Sequence, residues 1–187
     1  ELPDKGDHLF EPKWDGFRAI IFRRGLAVYI QSRDQRPFDR YFPDLHQVFL
    51  EQLPDGCVID GEIIIATSRG LDFDSLQLRL HPAASRVAKL AAATPASFVV
   101  FDLLASEGRD VRGFSQDERR HLLEQLSTRF SPPIFLTPMT RDRAVATQWL
   151  NRFEGAGLDG VIAKAADLSY QAGKRVMIKV KHVRTAE

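Results

Sequence analysis

Cysteine is all but absent: Cys57 stands alone in 187 residues. That excludes an internal disulfide and every multi-cysteine zinc ribbon, and it makes a reducing, cytoplasmic setting the expected one. Net charge is nearly absent too, with 26 Lys and Arg against 25 Asp and Glu for a formal +1. A generic nucleic-acid coat would carry far more positive charge, so any polyanion partner must be met by locally placed cations. No apolar run approaches the roughly 18 to 20 residues that span a bilayer. Val58–Ile65, among the longest, is interrupted by Asp60 and Glu62, and no membrane association is expected. The chain opens at Glu1 without Met, a basic n-region or an apolar h-region. No signal peptide is expected, and the chain reads as an excised piece. Repeats, low-complexity tracts, G-x-G-x-x-G turns and G-x-x-x-x-G-K-[ST] phosphate loops are missing as well, so a bound nucleotide would have to be gripped by side chains. His8, His46, His81, His121 and His182 include no pair at metal-ligand spacing, and there is no G-x-S-x-G elbow.

What is present fits one ample domain with a normal 44% hydrophobic share. Phe17–Arg23 and Ala27–Gln31, separated by Arg24-Gly25, predict a hairpin. Further strands are expected at Cys57–Ala66, Ser97–Leu104, Ile134–Thr137, Gly160–Lys164 and Val176–Lys181. Helices are expected at Asp44–Leu53 behind Pro43, at Asp72–Leu80, at Ser85–Ala93 and at Arg141–Glu154. Ser115 with Glu118 forms a capping-box pattern that opens another, running to about Leu126. Strands joined directly or by single helices, without regular βαβ spacing, point to an α+β fold with mixed, mostly antiparallel sheets.

The chemistry sits where polar residues interrupt buried strands. Asp60 and Glu62 in VIDGEIII share a face, with Gly61 between them leaving room for a ligand or a backbone. They are either two solvated acids on a strand edge or a carboxylate pair holding a cation or sugar hydroxyls. Lys13 lies two residues from Asp15 and shortly before Arg18. It is either a surface salt-bridge partner of Asp15 or a nucleophile whose amine is activated by neighbouring cations. From Lys164 to the end, Lys164, Lys174, Arg175, Lys179, Lys181 and Arg184 face only Asp167 and Glu187, a local net charge of +4. Lys179 and Lys181 share a strand face, as a protected edge or as paired phosphate ligands. Phe101 is either plain core or a stacking platform for a purine.

Taken in order, these elements resemble the covalent nucleotidyltransferases: ATP-dependent DNA ligases, RNA ligases and mRNA-capping enzymes. Lys13-Trp14-Asp15-Gly16-Phe17-Arg18 is similar to their K-x-D-G-x-R motif, Ser32-Arg33 to the S-R element, and Asp60-Gly61-Glu62 to D-G-E. Phe101-Asp102-Leu103-Leu104 resembles the aromatic F-D motif. Asp159-Gly160-Val161-Ile162-Ala163-Lys164 is similar to E-G-V-V-x-K, with Asp in place of the usual Glu. Met177-Ile178-Lys179-Val180-Lys181 resembles the terminal paired-lysine motif. EPKWDGFR, FDLLA and KRVMIKVKH look most like bacterial ATP-dependent DNA ligases, of the actinobacterial ligase C type and more distantly the ligase module of ligase D.

The resemblance implies the nucleotidyltransferase (ATP-grasp-like) fold over residues 1–187. It also implies an oligonucleotide-binding (OB-fold) domain that follows in complete ligases and has no room after Lys181. It makes Lys13 the nucleophile on ATP, forming lysyl-AMP for transfer to nicked double-stranded DNA, with roles in DNA repair and recombination. Asp15, Lys179 and Lys181 join Lys13 as catalytic residues, with magnesium or manganese assisting at the phosphate. Glu62 would contact ribose or a metal, and Asp159 a metal. Phe101 would stack on adenine with Trp14 and Ile162 nearby, and Glu11 would read the adenine edge. Arg18 would contact ribose, Arg33 the nucleotide or a DNA 5′-phosphate, and Lys164 the nucleotide. A monomer is expected. An RNA ligase, a guanylyltransferase or a catalytically silent nucleic-acid-binding module stays open beside the ligase reading.

Overall fold

Two β-sheets, one of three strands and one of six, carry the chain in a computed structural model that describes residues 1–152, 157–174 and 176–181. The smaller sheet places β10 (Gly160–Ala165) between β1 (His8–Lys13) and β11 (Ile178–Lys181), all antiparallel. The larger runs β3 (Ala27–Ser32), β2 (Phe17–Arg24), β4 (Cys57–Ile64), β7 (Ser97–Ser106) and β8 (Arg109–Asp110), with β9 (Ile134–Leu136) parallel to β7. A small hairpin of β5 (Ala66–Thr67) and β6 (Gly70–Leu71) stands apart. This is the mixed, mainly antiparallel α+β architecture that the strand spacing predicts.

Helices cover the sheets. Leu45 and Phe49 of α1 (Pro43–Gln52) are wholly buried and join Ile21, Ile30, Ile59, Phe98 and Leu103 in the main core. A second, smaller core pairs Ala146 of α5 (Arg143–Arg152) with Phe10, Val161 and Ala163 of the smaller sheet. The Ser115 hydroxyl accepts the Glu118 N–H at 3.2 Å and starts α4 (Gln116–Ser127), as the capping pattern predicts. The last residues of the Arg141–Glu154 expectation lie outside the described residues, as do His182, Arg175 and Arg184 of the basic stretch. Among the described residues no helix is long and apolar enough to cross a membrane.

Two local departures from expectation have physical causes. β1 has no apolar alternation to announce it, because Leu9, Phe10, Glu11 and Pro12 are buried on both faces of the strand. α2 (Phe73–Gln77), capped by Asp72, stops short of Leu80 as the chain turns Arg79 inward. There Arg79, fully buried, grips Asp44 at 3.0 and 2.7 Å and the Tyr41 and Thr94 carbonyls. α3 (Ala84–Ala93) then follows as expected.

Candidate active site

Strand register decides which side chains share a face, because directly opposed residues of an antiparallel pair project the same way. In the smaller sheet Lys13 opposes Gly160 and Glu11 opposes Ile162. Ile162 in turn opposes Lys179, and Gly160 opposes Lys181. Lys13, Glu11, Ile162, Lys179 and Lys181 therefore lie on one face, together with Lys164 two residues along from Ile162. Gly160 makes this possible: its φ is +145°, and a Cβ there would come within 2.0 Å of the Val180 carbonyl oxygen. In the larger sheet Arg18 opposes Glu62, while Ile20 opposes both Asp60 and Gln31. A cavity of about 600 Å³ opens between the two sets, lined by Arg18, Arg33, Asp60, Phe101, Lys164 and Lys179 among others.

Lys13 sits at the end of β1, where its Nζ donates to Asp159 Oδ2 at 2.6 Å. The expected alternative, a surface pair with Asp15, is replaced by this contact across 146 residues. Asp15 stays close: burial and the Asp159 charge push its carboxyl up, against the pull of Lys13 and Lys181. Lys179 is shifted the other way. Partial burial, then the charges of Lys13, Arg33 and Arg18, hold its ammonium below the usual lysine range, with Glu62 opposing them. These dependences place the cations of both sheets within electrostatic reach of one another.

Asp60 and Glu62 share a face, yet their environments separate them. Asp60 is fully buried and accepts from Arg18 Nε at 3.1 Å, Arg18 Nη2 at 2.6 Å and the Tyr170 hydroxyl at 2.8 Å. It is thus neither a solvated acid nor a cation ligand, but a brace for Arg18. Glu62 keeps its carboxylate for other work. Burial and then the Asp60 charge push it up to about 7, opposed by Lys13, Arg18 and a backbone hydrogen bond from Gly16. The space at Gly61 is filled by backbone, since a Cβ would meet the Val99 carbonyl oxygen at 2.3 Å and the Phe98 ring at 2.6 Å. It serves strand packing and no ligand.

Glu11 and Lys164 form a buried pair at 2.7 Å, and Lys164 Nζ also donates to the Phe101 carbonyl at 3.2 Å. Burial raises the Glu11 carboxyl despite the Lys164 charge. The other Glu11 oxygen, Oε1, is buried without a hydrogen-bond partner among the described residues, 3.8 Å from Arg120 Nη1. Lys164 Nζ lies 4.7 Å from the centre of the Phe101 ring, and the Arg18 guanidinium 5.8 Å. The half-buried Phe101 ring thus lies at the cavity wall between two cations. The Trp14 indole N–H donates to Thr137 Oγ1 at 2.9 Å. Arg33 is exposed at the cavity rim.

The chain's own groups test poorly as a complete cation site. Among the described residues no group of three or more His, Cys, Asp or Glu side chains could hold a metal ion. Glu62 and Asp159 both lie within charge range of Lys13, two carboxylates where a complete protein-only site would need more.

Sequence reasoning missed three residues that build this site: Arg119, Arg120 and Tyr170. Arg119 grips Asp102 at 2.9 and 3.1 Å from inside α4. Arg120 ties Glu124 and the Thr137 carbonyl together. Charge inside an amphipathic helix ordinarily reads as solvated surface; the partner acid on β7, Asp102, was the available signal.

Comparison with known proteins agrees with this geometry. Residues 3–181 match the family model of the ATP dependent DNA ligase domain. The chain is 57% identical to DNA ligase C2 of Mycolicibacterium smegmatis over 178 residues, covering 95% of this chain and 50% of that protein. It is 54% identical to DNA ligase C of Mycobacterium tuberculosis over 185 residues, covering 97% and 52%. The chain spans about half the length of the curated relatives it matches. Among solved structures, the ligase domain of M. tuberculosis LigD superposes with a TM-score of 0.76 at 30% identity, covering 94% of this chain and 55% of that one. A mycobacterial DNA ligase D complexed with ATP and MES gives 0.75 at 31% identity, with the same coverage. With nearly its whole described length matched, the chain belongs to the ATP-dependent DNA ligase domain family.

Proposed function

We propose that this chain is the adenylation domain of an ATP-dependent DNA ligase and that Lys13 is its nucleophile. The observation that carries the reading is the convergence of charge on Lys13, which Asp159 holds at 2.6 Å and with which Lys179 and Glu62 interact, while Arg18 and Lys179 line a nucleotide-sized cavity. Lys13 Nζ, once it has lost its proton, attacks the α-phosphorus of ATP. The N–P bond forms as the bond to pyrophosphate breaks, leaving lysyl-AMP.

Each neighbour has a part. Asp159 aims the amine through its hydrogen bond, and Asp15 adds to the local negative field that holds it. Lys179 and Lys181 neutralise the charge that grows on the phosphate in the transition state, and their preset positions require no reorganisation. Phe101 offers its ring to adenine, with Ile162 on the opposing sheet. Glu11 and Lys164 set the floor beneath the base, and Trp14 fixes the turn after Lys13. Arg18 reaches ribose and Arg33 reaches a phosphate, of the nucleotide or of a DNA 5′ end. Magnesium or manganese bound with ATP, held by Glu62 and Asp159, would supply further neutralisation of the phosphates.

The AMP then passes to the 5′-phosphate of nicked double-stranded DNA, and a 3′-hydroxyl displaces it to seal the strand, the chemistry of repair and recombination. A monomer with a C-terminal oligonucleotide-binding domain completes the reading; the half-length coverage of the relatives is in keeping with a further domain and bears on nothing else.

Incubation with α-labelled ATP or GTP and magnesium tests it. Protein-bound label from ATP, discharged onto nicked DNA, is expected. Label from GTP alone would overturn the reading in favour of a guanylyltransferase, and no label from either would favour a silent binding module.

A further inference from the structure

The segment that joins β10 to β11 crosses from the smaller sheet to the larger and is held at every second residue. The Asp117 N–H donates to the Ala166 carbonyl at 3.0 Å, and Arg119 Nη1 to the Leu168 carbonyl at 3.2 Å. The Tyr170 N–H donates to the Arg112 carbonyl at 2.9 Å. The Tyr170 side chain adds the last attachment, its hydroxyl donating to Asp60 Oδ2 at 2.8 Å and accepting from Arg18 Nη2 at 3.1 Å. The Arg119 guanidinium lies 5.8 Å from the centre of its ring. Past Tyr170 the chain borders the cavity through Gln171–Lys174 and returns as the strand bearing Lys179 and Lys181.

Two consequences follow from the geometry. Asp60 Oδ2 is shared between Tyr170 and Arg18, so the tyrosine hydroxyl sets the plane of the carboxylate and through it the plane of the guanidinium. Arg18 Nε and Nη2 are thereby occupied, while Nη1 makes no hydrogen bond among the described residues and belongs to a side chain bordering the cavity. The same hydroxyl anchors the connector from which β11 departs.

We infer that Tyr170 is a positioning residue for the nucleotide, locking Arg18 with one free donor turned to the cavity and fixing the connector that delivers Lys179 and Lys181. The inference rests on the adenylation reading. Burial and the Asp60 charge push the Tyr170 hydroxyl up, so it stays a neutral donor at working pH.

Tyr170→Phe tests it, because it keeps the ring against Arg119 and removes only the hydroxyl. Thermal unfolding is expected to move by about 2–4 °C. The ATP concentration for half-maximal lysyl-AMP formation should rise by about threefold to tenfold, with the saturated rate within about twofold of the original. Combined with Arg18→Lys, the effect should fall short of the product of the single effects, since both act on one donor. An unchanged ATP requirement, or fully multiplicative effects, would overturn the inference while leaving the adenylation reading intact. Failure of the unsubstituted protein to take label from ATP would remove that reading first, and the inference with it.

Discussion

Lys13 Nζ and Asp159 Oδ2 lie 2.6 Å apart, joining the end of one strand to the entry of another in the same sheet. The Asp159 side chain, one methylene shorter than a Glu, reaches the amine directly. The pair is partly open to solvent, at 17% and 36% side-chain exposure. Exposed pairs of this kind contribute about 1 kcal/mol or less. Lys13→Ala is therefore expected to abolish label transfer from ATP while unfolding within a few degrees of the parent. Label retained at the parent level would remove Lys13 as nucleophile, and calorimetry checks the fold in the same sample.

Glu62 links the site to pH. Its carboxyl is raised from an ordinary 4.5 to about 7, so in the folded protein it gives up its proton later than in the unfolded chain. Below pH 4.5 the group is protonated in both states and contributes nothing. Between that point and about 7 the unfolded state ionises first and stability falls; above about 7 the penalty is complete. Glu62→Gln is accordingly expected to stabilise the ligand-free protein at pH 8 by on the order of 2–3 kcal/mol, and to be neutral at pH 4. Denaturant titrations at the two pH values measure this. Lysyl-AMP formation by the same variant should fall and lose its rise toward pH 7.

Arg119 and Asp102 form a buried two-point ion pair that ties α4 to β7 next to Phe101. Arg119 also donates to the Phe114 and Leu168 carbonyls. Arg119→Met leaves Asp102 as an uncompensated buried charge, and breaking such a pair costs about 3–5 kcal/mol. For a chain of this size that corresponds to a fall of roughly 10 °C in unfolding temperature. A fall of only one or two degrees would show that Asp102 finds other partners.

Much of this protein was legible in its sequence because the signals are local. Turn residues at Arg24-Gly25, the cap at Ser115 and β-branched runs act over a few positions, and the elements they predict are present. The spaced motifs around Lys13, Glu62, Phe101 and Lys179 were legible for the same reason. β1 was not, because a strand buried on both faces has no alternation to read. Arg119, Arg120 and Tyr170 were not, because a charge or a hydroxyl in sequence carries no mark of the distant group it will meet.

What the sequence determined by itself is the inventory: which residues can attack, neutralise, stack or cap, and which strands and helices bear them. Only the tertiary structure decided the partners. It set Lys13 on Asp159 instead of Asp15, committed Asp60 to Arg18 and Tyr170, and left Glu62 without an ion pair among the described residues. The physical reason is that side-chain type sets what a group can do, whereas burial, register and the charge that packs opposite set its protonation and orientation. Those are properties of contacts between residues as much as 146 positions apart.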